Sequence, residues 1–96
     1  MLSWVLYDIS DDDAREQIAK RCLQAGLTRV QQSVFFGAIE PTRLDELEMV
    51  LAPIMNPETD SIYLAPYCRK DFRRLRMLGR GFDRGRLGGE ERRLIL

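Results

Sequence analysis

Asp8 closes an otherwise apolar run, Leu2-Ser3-Trp4-Val5-Leu6-Tyr7, and stands just ahead of a carboxylate cluster, Asp11-Asp12-Asp13. In a strand, side chains alternate faces, so Leu2, Trp4, Leu6 and Asp8 share one face while Ser3, Val5, Tyr7 and Ile9 share the other. A carboxylate that ends an apolar stripe asks for a partner, because burying it ionised and unpaired costs roughly several kcal/mol. Backbone amides of the next element, a second carboxylate sharing a proton, or a hard divalent cation would each serve. Asp11, Asp12 and Asp13 read as helix-start residues favoured by the helix dipole. The chain has no histidine. Zinc sites built on imidazole and most Ser/His or Cys/His nucleophilic machinery are therefore excluded, and carboxylates, hydroxyls and arginines remain.

The formal net charge of zero hides a segregation: residues 1–65 hold 5 Lys/Arg against 11 Asp/Glu, and residues 66–96 hold 10 against 4. The basic run from Arg69-Lys70 through Arg73, Arg74, Arg76, Arg80, Arg84 and Arg86 to Arg92-Arg93 can neutralise phosphates, which dominate nucleic-acid affinity. The same run also fits a solvated face paired with the acidic half. Its end, Leu94-Ile95-Leu96, can add a strand to the edge of a neighbouring sheet.

The elements that would position these groups follow from apolar spacing. After the first strand, Ser10 or Asp11 can cap a helix with Ala14, Ile18 and Cys22 on one face, joined by Ala19 and Leu23, and Gly26 is its stop. Residues 27–39 are rich in β-branched and aromatic types and read as two strands meeting near Gln31-Gln32. Pro41-Thr42 opens a second helix, with Asp45 and Glu46 in its first turn and Leu44, Leu47, Leu51 and Ile54 along one face. Residues 60–65 form another strand, ended by Pro66, and residues 67–77 a short basic helix. Residues 79–96 read as a mobile, basic, glycine-rich tail ending in a short strand. The order strand, helix, two strands, helix, strand is the α+β ferredoxin-like βαββαβ arrangement, with both helices on one face of an antiparallel sheet.

Ninety-six residues with 45% hydrophobic and 31% charged content make a single domain, of a size that benefits from burial against a partner. The strands are apolar on both faces, and the expected cover for the open face is a second copy of the chain, giving a sheet-to-sheet homodimer. A two-fold axis near Asp8 would bring two carboxylates together. No apolar run approaches the ~20 residues of a membrane helix, and the amino terminus reaches Asp8 too early for a signal peptide, so a cytoplasmic protein is expected. Cys22 and Cys68 read as free, buried thiols rather than a disulfide.

Three blocks carry a family resemblance: Val5-Leu6-Tyr7-Asp8-Ile9-Ser10-Asp11-Asp12, the run from Gly26 to Gly37, and Asp60-Ser61-Ile62. At these spacings the chain resembles the CRISPR-associated protein 2 family over residues 2–65, with the basic tail similar in kind. The resemblance implies a ferredoxin-like homodimer whose Asp8 residues hold Mg²⁺ or Mn²⁺, and a metal-dependent endonuclease of RNA or DNA. It implies a role in CRISPR adaptation, bridging integrase dimers of the CRISPR-associated protein 1 family on double-stranded prespacer DNA, with single-stranded RNA as a second nucleic-acid partner. Carried over by position, Asp8 is the catalytic and metal residue, and Arg15 and Arg29 are basic positions toward nucleic acid. Ser33 and Phe35 belong to the second block, in structural or interface roles, and Arg73, Arg74 and Arg76 extend the basic set. Where many members place basic residues early in the first helix, this chain has Asp13, Glu16 and Gln17, which favours a cation beside Asp8 and opposes a phosphate backbone. Two other functions fit the same residues: a non-catalytic DNA-binding scaffold with a vestigial metal site, and a stand-alone toxin-type ribonuclease.

Overall fold

The computed structural model describes residues 1–82. Strand β1 (Leu2–Asp8) leads into helix α1 (Asp12–Gln24), a hairpin of β2 (Thr28–Gln31) and β3 (Val34–Ala38), helix α2 (Pro41–Leu51), strand β4 (Ser61–Tyr67) and a short helix α3 (Arg69–Arg73). The sheet order is β2-β3-β1-β4 with every neighbour antiparallel, which is the ferredoxin-like α+β fold. The expected C-terminal strand, and most of the tail that was to be mobile, lie outside the described residues.

Local chemistry accounts for the element ends. Asp11, with an extended backbone, accepts the Ala14 amide on its side chain and so caps α1. Gly26 follows the helix at φ +89, a conformation that costs glycine little and other residues more. Pro41 starts α2, where its missing N–H would be unpaired in any case. Asp45 and Glu46 fall beyond the first turn, because the helix begins at Pro41 itself. Pro66 does not end β4, which continues to Tyr67. β4 is an outer strand, and an outer strand tolerates a residue that cannot donate to a neighbour.

The sheet is buried on both faces. Val5, Tyr7, Ile9, Phe35 and Ile39 pack against Ile18, Ala19 and Cys22 of α1 and Leu44, Leu47 and Leu51 of α2. Leu23, expected on the α1 core stripe, is 54% exposed. The opposite face forms a second cluster of Leu2, Phe36 and Phe72, flanked by Trp4, Val30, Tyr67, Leu75 and Phe82. This corrects the expectation that the chain lacks a cover for this face. Phe72, on α3, lies fully buried with its ring stacked on Phe36 at 5.3 Å, and Phe82 meets Trp4 edge-on at 6.1 Å. The basic segment thus carries its own apolar anchors.

Candidate metal and nucleic-acid site

The covering segment stops short of the sheet end that carries Asp8. Register places Asp8 opposite Ser61, and the adjoining row on the same face is Val34, Leu6 and Tyr63. Asp8 is exposed and has no hydrogen bond or ion pair among the described residues. The premise of a poorly solvated carboxylate is therefore corrected: in one chain Asp8 faces water and is free to take a ligand. The amide-capping alternative belongs to Asp11 instead.

The carboxylate that does sit buried is Asp60, which lies just before β4 rather than in the strand expected over residues 60–65. One oxygen accepts the Ser10 amide (3.0 Å), the Ser10 hydroxyl (2.6 Å) and the Thr59 hydroxyl (3.0 Å), and the other accepts the Asn56 amide (2.9 Å). The Ser10 hydroxyl first, then the amides of Asn56 and Ser10, hold this carboxyl well below the usual carboxylate range. The network ties the loop after β1 to the loop before β4, and so fixes the two strand ends that meet at Asp8 and Ser61. Asn56 and Thr59 lie close to Asp60 in sequence, but Ser10, which supplies two of its hydrogen bonds, is 50 residues away, and spacing alone does not reveal it.

Arg15 and Arg29 come together, with Asp12, Glu16 and Gln32, around an open hollow beside α1 and β2. Arg15 donates to the Ile9 carbonyl (3.0 Å) and pairs with Asp12. Arg29 donates to the Gln32 carbonyl (3.2 Å) and lies over the Phe35 ring at 5.3 Å. Each arginine is thus partly committed to the fold. Register puts Arg29 on the helix-bearing face with Phe35, away from the face of Asp8. Beneath this corner the Tyr7 hydroxyl is buried with no hydrogen-bond partner among the described residues, and burial raises its pKa against the opposing pull of Arg29.

Phe35 is fully buried in the helix-side core, stacked with Tyr7 at 6.2 Å. Ser33 lies in the β2–β3 turn, where its carbonyl accepts the Tyr7 amide (3.1 Å). Arg73, Arg74 and Arg76 are exposed on and after α3. Among the described residues none of these arginines pairs with Asp8.

Among the described residues no three His, Cys, Asp or Glu side chains converge on a cation position. Asp8 alone would offer one carboxylate, which suits a hard ion that keeps most of its waters. No described helix is long and apolar enough to cross a membrane.

The conserved-family model for CRISPR associated protein Cas2 matches residues 1–75, the span from β1 through α3 that holds Asp8, the Asp60 network and both clusters. This chain belongs to the Cas2 family. It is 37% identical over 70 residues to a CRISPR-associated endoribonuclease Cas2 of Archaeoglobus fulgidus, covering 73% of this chain and 74% of that one. A CRISPR-associated endoribonuclease Cas2 of Korarchaeum cryptofilum is 34% identical over 82 residues, with 84% and 88% covered. The crystal structure of Streptococcus pyogenes Cas2 at pH 6.5 superimposes with a TM-score of 0.72 at 30% identity, covering 82% of this chain and all of that one.

Proposed function

We propose that this Cas2 chain is a metal-dependent endoribonuclease that works as a homodimer in CRISPR adaptation, with Asp8 of each copy holding Mg²⁺ or Mn²⁺ at the shared axis. The observation that carries the reading is Asp8 itself: an exposed carboxylate with no side-chain partner among the described residues, at the end of a sheet face that is otherwise apolar. Relatives bearing the endoribonuclease name support the reaction class. A bound divalent ion supplies an activated water and offsets charge on the scissile phosphate. Asp8 holds the ion, and the Ser10–Asp60 network keeps the end of β1 in place against β4. Arg15 and Arg29, rigidified by their backbone carbonyl contacts, offer cationic charge to a strand passing the β2 side.

Cleavage of RNA and of duplex DNA by wild-type and Asp8→Asn protein, with Mg²⁺, Mn²⁺ or EDTA, tests this. Cleavage that requires both the metal and Asp8 is expected. Cleavage unchanged in Asp8→Asn or in EDTA would defeat it. A second reading, a scaffold that bridges integrase dimers on duplex DNA, draws on the exposed Arg73, Arg74 and Arg76. It predicts metal-independent, salt-sensitive duplex binding that Asp8→Asn leaves intact.

A further inference from the structure

Asp12, Arg15 and Glu16 stand three and four residues apart on α1 and so share one face of the helix. Across an open hollow from them lie Arg29 and Gln32 of the β2–β3 hairpin. The two arginines converge there, since the Tyr7 hydroxyl beneath, whose pKa burial raises, feels the opposing charge of Arg29 and of Arg15. Two cations and two carboxylates thus line one hollow, and its charges sum to zero. Arg15 pairs with Asp12, and Glu16 is exposed without a hydrogen bond or ion pair among the described residues. Helix initiation does not account for both acids: Asp11 supplies the cap and Asp13 serves the helix dipole, while Glu16 lies beyond the first turn. The hollow is on the helix-bearing side of the sheet, away from the face that pairs copies in the proposed dimer.

We propose that Asp12 and Glu16 set the affinity of this hollow for a nucleic-acid phosphate, by holding Arg15 and Arg29 in a neutral cluster that a phosphodiester must break before the arginines can take it. The inference rests on the reading of Arg15 and Arg29 as the cationic contacts of the β2 side. The Asp12 side chain is 88% exposed, and an ion pair so open to water is weakly held. A phosphate can therefore displace it, and the cost shows as reduced affinity rather than exclusion. Arg15 stays in place when Asp12 lets go, because the Ile9 carbonyl still accepts its other guanidinium N–H. The freed carboxylate gathers a counterion, which offsets one that the bound phosphate releases. Binding is then less salt-dependent than two unopposed arginines would make it.

The test is binding of labelled single-stranded RNA and duplex DNA to the full chain in EDTA, from about 50 to 200 mM salt. Asp12→Asn and Glu16→Gln are each expected to tighten binding by roughly three- to tenfold at the low-salt end. Asp13→Asn makes the same change in net charge at the next hollow, beside Gln17 and Lys20, and should shift binding by less than about twofold. The slope of log affinity against log salt should steepen by about 0.7 to 0.9 in Asp12→Asn and hold steady in Asp13→Asn. Combined with Arg15→Gln, Asp12→Asn should bring no gain. A gain of affinity cannot come from a damaged fold. No gain from either variant, an equal gain from Asp13→Asn, or a gain that survives Arg15→Gln would overturn the proposal. If Arg15→Gln and Arg29→Gln weaken binding while Asp12→Asn and Glu16→Gln leave it unchanged, the cationic contacts stand and the acidic control of them fails. If Arg15→Gln and Arg29→Gln bind as wild type, the reading of the arginines fails and takes the proposal with it.

Discussion

Replacing Phe72 by alanine should release the C-terminal cover from the sheet while leaving the helix-side core intact. Helix α3 has five residues, too few to be stable without tertiary contact. Its hold on the sheet is therefore the burial of Phe72, which is 0% exposed and stacked 5.3 Å from Phe36 at an interplanar angle of 21°. Burying a phenylalanine contributes about 1.5–3 kcal/mol and a well-placed aromatic pair about 0.5–1.5 kcal/mol more. Together these give roughly 2–4.5 kcal/mol, near the ~3–5 kcal/mol seen for truncating a phenylalanine inside a core. The global loss should sit at the lower end, about 2–3 kcal/mol, since the segment can detach and spare the rest of the chain. Urea unfolding of Phe72→Ala and of Leu78→Ala, whose side chain is 95% exposed, separates anchor from bystander. Leu78→Ala should stay within about 0.5 kcal/mol of wild type. Native-state hydrogen exchange adds the local signature: the amides of Arg74 and Leu75, bonded to Asp71 and Phe72 carbonyls, should lose protection before the β1 amides do. An unchanged urea midpoint, or retained protection at Arg74 and Leu75, would refute the anchoring argument.

Asp60→Asn should cost stability at neutral pH and progressively less in acid. The folded carboxyl titrates below its unfolded value of about 3.9, so its contribution is complete above that value and is lost as pH falls through it toward the folded pKa. Unfolding curves of both proteins between pH 7 and pH 2 should therefore converge on the acid side; a gap that widens in acid would contradict the network. Cys22, with its thiol fully buried and its pKa pushed up to about 12, should resist iodoacetamide in the native protein at pH 8, whereas exposed Cys68 should be modified. Mass spectrometry should find one adduct on the folded chain and two after denaturation; two adducts on the folded chain would mean that the α1 core opens readily.

The helix-side half of the fold was legible because its signals are local. Asp11 before Ala14, Ile18 and Cys22 states a cap and a face, Pro41 before Leu44, Leu47 and Leu51 states a start and a face, and the structure uses each of them. Leu23 followed the same spacing yet points outward, since a helix on a small sheet buries a narrower stripe than its apolar residues offer. Pro66 was misread because its effect depends on whether its strand is central or outer, which is a tertiary property. The second cover was hidden by composition: Phe72, Leu75 and Phe82 are spread through an arginine-rich segment with no clear period. At the site, Asp8 stood out as a charge ending an apolar stripe, and the structure keeps it at that end of the sheet. Asp60 did not stand out, because what buries it is a serine and two loop amides that only the folded chain assembles. The separation of Arg15 and Arg29 from the face of Asp8 likewise depends on register, which spacing in the sequence does not report.

The placement of β1 at the centre of the sheet governs when this protein can fold. β1 is made before both of its partners, and it is held along one edge by β3 and along the other by β4, whose last residue is Tyr67. During synthesis the strand with Trp4 and Leu6 must wait, one edge unpaired, until residue 67 and the Phe72 that covers it have left the ribosome. Contacts of such long sequence separation slow folding and expose apolar strand surface in the interim. The strand made before its partners is thus the last to be fully enclosed, and nascent chains stalled before Ser61 should be the ones that chaperones hold.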